Sequence, residues 1–286
     1  MLAISTYCDI INTSNHVDND RKRIDLCLLR SVSMRYLIQA ACGCQIGKIR
    51  KNNEDNFLFD GKCLERENNG LNHPACVEET LKNGFSVAVF DGMGGESYGE
   101  YAAYAAARQM QQTQRTLTDF LIPEKNYLLR LTNQLNGAVN QVQQEMHTER
   151  VGSTMVGLYF SGRYVYVCNV GDSRAYRLRD GEFLQLSVDH VEKRPGRENR
   201  KAPLTQYLGF GSDEIQLEPH IAKGQIKRGD VYLLCSDGLT DMLSNFEISD
   251  ILMKQTEAEF CVKELIDAAL ERGGRDNVTA IVCRLM

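Results

Sequence analysis

The chain has 286 residues, of which 43% are hydrophobic and 25% charged, with a formal net charge of -5. This length admits one large domain or two small ones, and the composition is that of an ordinary globular protein with a full core. The mild acidity argues against a general nucleic-acid binder. Because no window approaches 18 uncharged apolar residues, we expect no membrane span.

The ten cysteines are scattered, and several, such as Cys168, Cys235 and Cys283, lie in apolar segments. The opening residues MLAISTYCDI lack the basic region and long apolar core of a signal peptide. We therefore predict buried, reduced thiols in a cytoplasmic protein. Cys42 and Cys44 have no CxxC partner downstream, which gives little support to a zinc site. The five histidines are far apart, so any metal would be held mainly by oxygen.

Residues 1–34 are predicted to be a polar leader, disordered or dispensable, because they have no helix or strand period. Residues 35–286 contain no long linker and are predicted to form one domain. Its first strands are expected at 35–47 and 56–64. The polar stretch Glu65–Asn83 is predicted to be an exposed loop.

The strand expected next is Phe85–Phe90, before two long helices. Tyr98–Leu117 is rich in alanine and glutamine, which favour helix. The segment after it has apolar residues at helical spacing. These are Leu128, Leu131, Leu135, Ala138, Val142 and Met146.

The last part of the chain contains two hairpin signals, with turns at Ser161-Gly162 and Asp180-Gly181. Further elements are expected downstream of them. These are a strand in VYLLCSDG (231–238), helices at Glu247–Gln255 and Glu259–Arg272, and a closing strand at 277–285. Hairpin strands with segregated helices predict an α+β fold.

Carboxylates recur at the tips of these apolar strands, often beside glycine. They occur in NED (53–55), DG (91–92), GDS (171–173), SDG (236–238) and RDN (275–277). One such acid would be a turn former or helix cap. Several on one rim of a sheet would repel one another, and a hard cation such as Mg²⁺ or Mn²⁺ would offset that repulsion. In DGMGG the acid comes first and the glycines follow. A glycine next to an acid lets the glycine's backbone carbonyl approach an ion, so Asp91 is predicted to be a metal ligand.

Arg50, four residues before Glu54, supplies a guanidinium that can bind phosphate in a bidentate manner. Two divalent ions can share a water and lower its pKa from about 15.7 toward 7. The resulting hydroxide can attack phosphorus in line while Arg50 and the metals offset charge on the phosphate oxygens. The residues therefore predict metal-assisted hydrolysis of phosphate monoesters.

The ordered segments RKNNEDNF, VFDGMGGESYGE, STMVGLYF, VCNVGDSRAYRLRDGEF, LLCSDGLTDML and RDNVTAIV resemble the metal-dependent serine/threonine protein phosphatases, the protein phosphatase 2C family. The likeness covers nearly all of 35–286 and is greatest to bacterial single-domain members. It implies a four-layer α/β/β/α sandwich of two antiparallel β-sheets flanked by helices, with the metals in a cleft at one end.

The resemblance also implies roles for individual residues. Asp91 would bridge two Mn²⁺ or Mg²⁺ ions and, with Arg50 and Asp237, carry the catalysis. The metal ligands implied are Glu54, Asp91, the carbonyl of Gly92, Asp237 and Asp276, with Asp172 and Asp237 at a weaker third ion. Asp55 would act from behind these ligands or through water. Asn277 would either act on the site directly or serve only as a turn former.

Two departures from the family pattern bear on mechanism. Many eukaryotic relatives have a histidine, proposed as the general acid, where this chain has Met93. A water on the metal would then protonate the leaving group, unless His190 does so from a neighbouring loop; the alternative for His190 is a loop residue satisfied by its own turn. The segment Val188–Pro219 is shorter than the flap of bacterial relatives. Five of the nine residues in 193–201 are Lys or Arg, which favours either phosphopeptide docking or a solvated loop.

The sequence thus predicts a phosphoserine/phosphothreonine protein phosphatase, a phosphoric monoester hydrolase. Its partners would be phosphoproteins modified by a separate Ser/Thr kinase, and we expect a cytoplasmic monomer with no nucleic-acid or membrane partner. A catalytically silent phosphoprotein-binding scaffold is the alternative from another class. Retention of Asp91, Asp237, Asp276 and Arg50 favours the enzyme. A small-molecule phosphatase with the same chemistry is a third interpretation.

Overall fold

The computed structural model describes residues 36–81, 84–93, 98–113, 122–148, 151–192, 202–211 and 217–286. The polar leader 1–34 and the basic loop 193–201 lie outside the described residues, and the interpretations placed on them remain predictions.

The described strands are β1 (Leu37–Gln45), β2 (Asp55–Leu58), β3 (Ala75–Thr80), β4 (Phe85–Met93), β5 (Gly152–Ser153), β6 (Met155–Ser161), β7 (Tyr164–Val170), β8 (Arg174–Arg179), β9 (Glu182–Gln185), β10 (His220–Gln225), β11 (Val231–Cys235) and β12 (Val278–Leu285). The described helices are α1 (Gly99–Gln112), α2 (Glu124–Met146), α3 (Asp237–Thr240), α4 (Asn245–Lys254) and α5 (Ala258–Glu271).

The strands form two antiparallel sheets. One has the order β3-β1-β12-β11-β8-β9, and the other β10-β7-β6-β4-β2 with β5 beside β4. Alternation along β12 shows how the layers pack, because Ile281 and Cys283 enter the core between the sheets while Ala280 and Val282 face α4 and α5. Helices α1 and α2 cover the outer face of the second sheet. The predicted four-layer α/β/β/α sandwich is therefore confirmed.

The prediction of a loop at Glu65–Asn83 was wrong in part, because this stretch contains β3. The strand pairs with β1 along an edge of its sheet, with Val77 opposite Ala40. An edge strand is half-exposed, so ACVEET has no clean apolar alternation from which to predict it.

The predicted helices and hairpins are present with small shifts. Helix α1 ends at Gln112, whereas the prediction ran to Leu117, and residues 114–121 lie outside the described part. In α2 the buried stripe passes through Val139 rather than Ala138. Asp180 (φ 51°) and Gly181 (φ 82°) are both left-handed, as a tight two-residue hairpin requires. Among the described residues, no helix has the length and apolar character to cross a membrane.

Candidate active site

The strand register brings the predicted acids to one end of the sandwich. Asp55 of β2 lies opposite Asp91 of β4. At the end of β11, Cys235 is opposite Arg174 on one side and Ala280 on the other. Asp237, two residues beyond Cys235, is therefore flanked by the turn that carries Asp172 and by the segment that carries Asp276. The sequence prediction that these acids share a rim agrees with the geometry.

The glycines after two of these aspartates are required by close backbone packing. A Cβ on Gly92 would lie 2.1 Å from the carbonyl oxygen of Gly99 and 2.6 Å from that of Glu54. A Cβ on Gly238 would lie 2.0 Å from the carbonyl oxygen of Asn277. Glycine thus lets separate segments approach one another beside the acids. The DG motif in the sequence predicts a close approach there, but not which segments make it.

Arg50 lies among the acids. Its Nη2 donates to Asp276 Oδ2 at 2.7 Å, and its Nη1 is 3.9 Å from Glu54 Oε2. Burial alone would lower the pKa of Arg50, but the bond to Asp276 and the charges of Glu54 and Asp91 raise it. Burial raises the pKa of Glu54, and Glu100 and Asp276 add to that rise against the opposing effect of Arg50.

Asp55 is buried behind these residues, with 2% of its surface exposed. Its Oδ2 accepts hydrogen bonds from Ser236 Oγ at 2.7 Å and Thr279 Oγ1 at 2.6 Å. The pKa of Asp55 is raised to about 7. Burial is the largest cause, the charges of Asp237 and Asp276 add to the rise, and the two hydroxyl bonds oppose it. Sequence reasoning missed Ser236 and Thr279, although both lie within three residues of a predicted acid.

Asn277 connects the segments around Arg50. Its Oδ1 accepts from the backbone N–H of Glu54 at 2.8 Å, and its Nδ2 donates to the carbonyls of Ile46 (2.8 Å) and Asn52 (2.9 Å). Both ends of the amide are used on backbone groups. Of the two roles considered for Asn277, these contacts favour the structural role, because they fix the loop that carries Arg50.

Asp91 is held through its backbone by β5 and the residue after it. Its N–H donates to Thr154 Oγ1 at 3.1 Å, and its carbonyl accepts from the N–H of Thr154 at 2.8 Å. Thr154 Oγ1 is 2.7 Å from Ser173 Oγ, beside Asp172. The segment STM, quoted for the resemblance without a stated role, thus links the Asp91 strand to the Asp172 turn.

His190 is bonded to the turn before Asp172. Its ring Nδ1 accepts from the N–H of Gly171 at 3.1 Å, and the backbone N–H of His190 donates to the carbonyl of Gly171 at 3.0 Å. Burial lowers the pKa of His190, with a further lowering by His220 that outweighs the opposing effects of the Gly171 bond and of Asp189. The geometry favours the interpretation of His190 as a loop residue satisfied locally. Met93 lies in β4, opposite Gly152.

The donor set fits a hard divalent cation. It consists of carboxylates and a backbone carbonyl, and the pKa effects at Glu54 and Asp55 place negative charges close enough to repel one another. In the part of the chain that the structure describes, no three acidic, histidine or cysteine side chains form a preformed metal-binding group. Arg50 instead takes up the Asp276 carboxylate.

The family model for protein phosphatase 2C matches residues 66–272. This chain belongs to the protein phosphatase 2C family. The serine/threonine protein phosphatase PstP of Mycobacterium tuberculosis is 31% identical over 248 residues, covering 82% of this chain and 43% of PstP. The serine/threonine phosphatase stp of Listeria welshimeri is 30% identical over 251 residues, covering 82% of this chain and 91% of stp. The family predicted from the sequence is therefore confirmed.

Solved structures of the same architecture include PppA, described as a key regulatory component of T6SS in Pseudomonas aeruginosa. It has a TM-score of 0.70 and 27% identity, covering 87% of this chain and 98% of PppA. The catalytic domain of PstP in complex with two manganese ions has a TM-score of 0.66 and 27% identity, covering 88% of this chain and 99% of that domain.

Proposed function

We propose that this protein is a metal-dependent phosphatase of phosphoserine and phosphothreonine proteins. The observation that carries the proposal is that Arg50 contacts both Glu54, four residues along the chain, and Asp276, 226 residues away, at the rim where Asp91 lies near the end of β4. The names of the relatives PstP and stp, both serine/threonine phosphatases, support the same activity.

The residues that would hold two Mn²⁺ or Mg²⁺ ions are Asp91 between them, Asp237 and Asp276 at one, and Glu54 with the Gly92 carbonyl at the other. Asp172 and Asp237 would hold a weaker third. The two manganese ions of the PstP structure support this assignment. When bound, two such ions supply an activated water for in-line attack and offset charge on the phosphate.

Arg50 would bind the substrate phosphate. A guanidinium has five N–H donors, so Arg50 can keep its 2.7 Å bond to Asp276 and still donate to phosphate oxygens. Its side chain is 45% exposed, which leaves it accessible to a ligand. Asp55, fixed by Ser236 and Thr279, would hold the base of the site rigid while substrate binds.

The leaving alkoxide would take its proton from water. Met93 has no proton to give, and His190 Nδ1 already accepts the Gly171 N–H. We therefore assign His190 to positioning of the Asp172 turn rather than to proton transfer.

A phosphatase accounts for the retained acids better than a silent scaffold does, because a scaffold has no use for Asp91, Asp237 and Asp276 beside Arg50. The proposal includes substrates phosphorylated by a separate Ser/Thr kinase, a cytoplasmic location and a monomeric state.

The test is phosphate release from a phosphothreonine peptide, with Mn²⁺ and with excess EDTA. Asp91→Asn removes one charge at the rim, and Asp267→Asn, on the exposed face of helix α5, is the matched control. We expect turnover by wild type and by Asp267→Asn with Mn²⁺, and loss of turnover with EDTA or in Asp91→Asn. A folded, Mn²⁺-loaded wild type without turnover would overturn the proposal. Parallel assays on sugar and nucleotide phosphates distinguish a protein phosphatase from a small-molecule phosphatase, which would prefer these substrates to the phosphopeptide.

A further inference from the structure

A polar pocket of about 380 Å³ begins at the residue after Arg50. Its lining comes from three segments, Lys51–Asn53, Arg66–Asn69 and Glu100 at the start of α1. The pocket adjoins the proposed phosphate site, because a Cβ on Gly99, the residue before Glu100, would lie 2.8 Å from Glu54 Cδ, and Glu54 Oε2 is 3.9 Å from Arg50 Nη1. Residues that flank the phosphorylated side chain of a peptide would therefore reach it, whereas a small phosphate ester would not.

The pocket has a rigid wall. Asn53, 2% exposed, donates from Nδ2 to Asn68 Oδ1 at 2.8 Å. The same Oδ1 accepts from the N–H of Gly70 at 2.9 Å, and Asn68 Nδ2 donates to the carbonyl of Glu65 at 2.9 Å. These bonds fasten the 65–70 loop to the Arg50 loop. A ligand bound there would not have to order either loop, which lowers the entropic cost of binding.

Two cations line the pocket. The guanidinium of Arg66 is held 4.2 Å from the ring centre of Tyr101, and stacking of this kind leaves its N–H edges available. Lys51 is exposed and follows Arg50 directly. Lys51 and Arg66 together place two positive charges beside the acidic rim.

The two acids of the pocket leave the N–H groups of these cations free to bind a ligand. The side chain of Glu67 is 80% exposed, and its 3.3 Å contact with Arg66 is a surface ion pair of little strength. Glu100 Oε2 is fully buried and has no hydrogen-bond partner among the described residues, so this oxygen does not face a ligand in the pocket. The groups that can donate to an anionic ligand are therefore the two cations and the asparagine amides.

We propose that this pocket is a specificity subsite for an acidic side chain flanking the phosphorylated residue of the substrate. The proposal rests on the phosphatase function given above. Lys51 and Arg66 would bind the carboxylate, and the exposed amides of Asn52 and Asn69 would bind the peptide backbone. Charge-assisted hydrogen bonds of this kind are about twice as strong as neutral ones, so they would discriminate between peptides.

The experiment compares kcat/KM for phosphothreonine peptides in which one glutamate is moved through the three positions on either side, with alanine elsewhere. We expect about a tenfold advantage for glutamate at one or more positions in wild type. Lys51→Gln and Arg66→Gln should each lose most of that advantage. Arg228→Gln, an exposed basic residue before β11, is the control and should retain it.

Charge reversal separates recognition from a change in fold. Lys51→Glu should reverse the preference and favour lysine at the same peptide position, which a merely structural role of Lys51 would not produce. Equal kcat/KM for glutamate and alanine peptides in wild type, or a preference for lysine, would overturn the subsite. Hydrolysis of p-nitrophenyl phosphate by wild type reports the proposed chemistry separately, so failure of the subsite is distinguishable from failure of the phosphatase.

Discussion

The two ends of strand β11 each carry a buried aspartate, and the surroundings of the two differ. Asp230, 1% exposed, comes directly before the strand, and Asp237, 6% exposed, comes two residues after it. Asp230 accepts from Arg179 Nε and Nη2, both at 2.6 Å, and from Tyr232 Oη at 2.9 Å. The backbone N–H of Lys227 adds a further bond at 2.8 Å. The chain itself thus supplies the countercharge and donors of Asp230.

At the other end, like charges are gathered instead. Asp237 raises the pKa of buried Asp55, and Asp276 raises those of both Asp55 and Glu54. Arg50 bonds to Asp276 and approaches Glu54. An aspartate at a strand end is therefore structural where its own chain neutralises it. It is a candidate for catalysis where the fold concentrates further acids around it, because clustered carboxyls with perturbed pKa values are typical of functional sites.

The largest expected effect is on activity at the acidic end. Asp237→Asn should lower kcat/KM for a phosphopeptide by at least about a thousandfold, equivalent to about 4 kcal/mol of transition-state stabilisation. Its stability in EDTA, measured by urea denaturation, should not fall, because the substitution relieves repulsion. Asp250→Asn, on the exposed side of α4, is the control. Full activity in Asp237→Asn would contradict the catalytic role proposed for the acidic end of β11.

At the opposite end the expected effect is on stability. Asp230→Ala leaves Arg179, 16% exposed, without its carboxylate, and breaking a buried ion pair costs about 3–5 kcal/mol. Urea denaturation measures this loss, while kcat of the folded fraction should be that of wild type. A double change, Arg179→Met with Asp230→Leu, should recover much of the lost stability. If Asp230→Ala proves as stable as wild type, Asp230 is not the structural anchor described.

Metal binding should stabilise the acidic end selectively. A ligand that binds only the folded state at 100 times its Kd adds about 2.7 kcal/mol, so Mn²⁺ should raise the Tm of wild type measured by calorimetry. Asp230→Ala should show the same increment from its lower starting value. Asp237→Asn should show little or none. An equal Mn²⁺ shift in Asp237→Asn would mean that the cation binds elsewhere.

The smallest expected effect is a pH dependence away from both ends. Glu247, which bonds to Arg272 and forms a capping box with Ser244, has its pKa lowered to about 2 by these partners, Arg272 foremost. A depressed carboxyl pKa stabilises the fold above the ordinary value near 4.5, and the contribution is lost as pH falls toward 2. Glu247→Gln should therefore lower Tm slightly at pH 7 and by clearly less near pH 2.5. An equal shift at both values would contradict this assignment.

The sequence by itself determined much of this protein. Three features follow from local chemistry, and each is present: the short apolar run Phe85–Phe90, the turn residues Asp180 and Gly181, and the helical stripe of α2. The placement of acids at the tips of apolar strands was also readable, because the end of one antiparallel strand and the start of its neighbour lie at the same rim.

Other features were decided only by tertiary structure, because they depend on partners remote in sequence. Arg50 meets Asp276 across 226 residues, and Asp55 meets Thr279 across 224. Edge strand β3 is polar because only one of its sides is paired, and β1 fixes its place. No local pattern encodes which distant hydroxyl, amide or guanidinium will stand beside a given acid. The packing of the two sheets decides which of these groups lies beside each acid, and it therefore also decides the difference between Asp230 and Asp237.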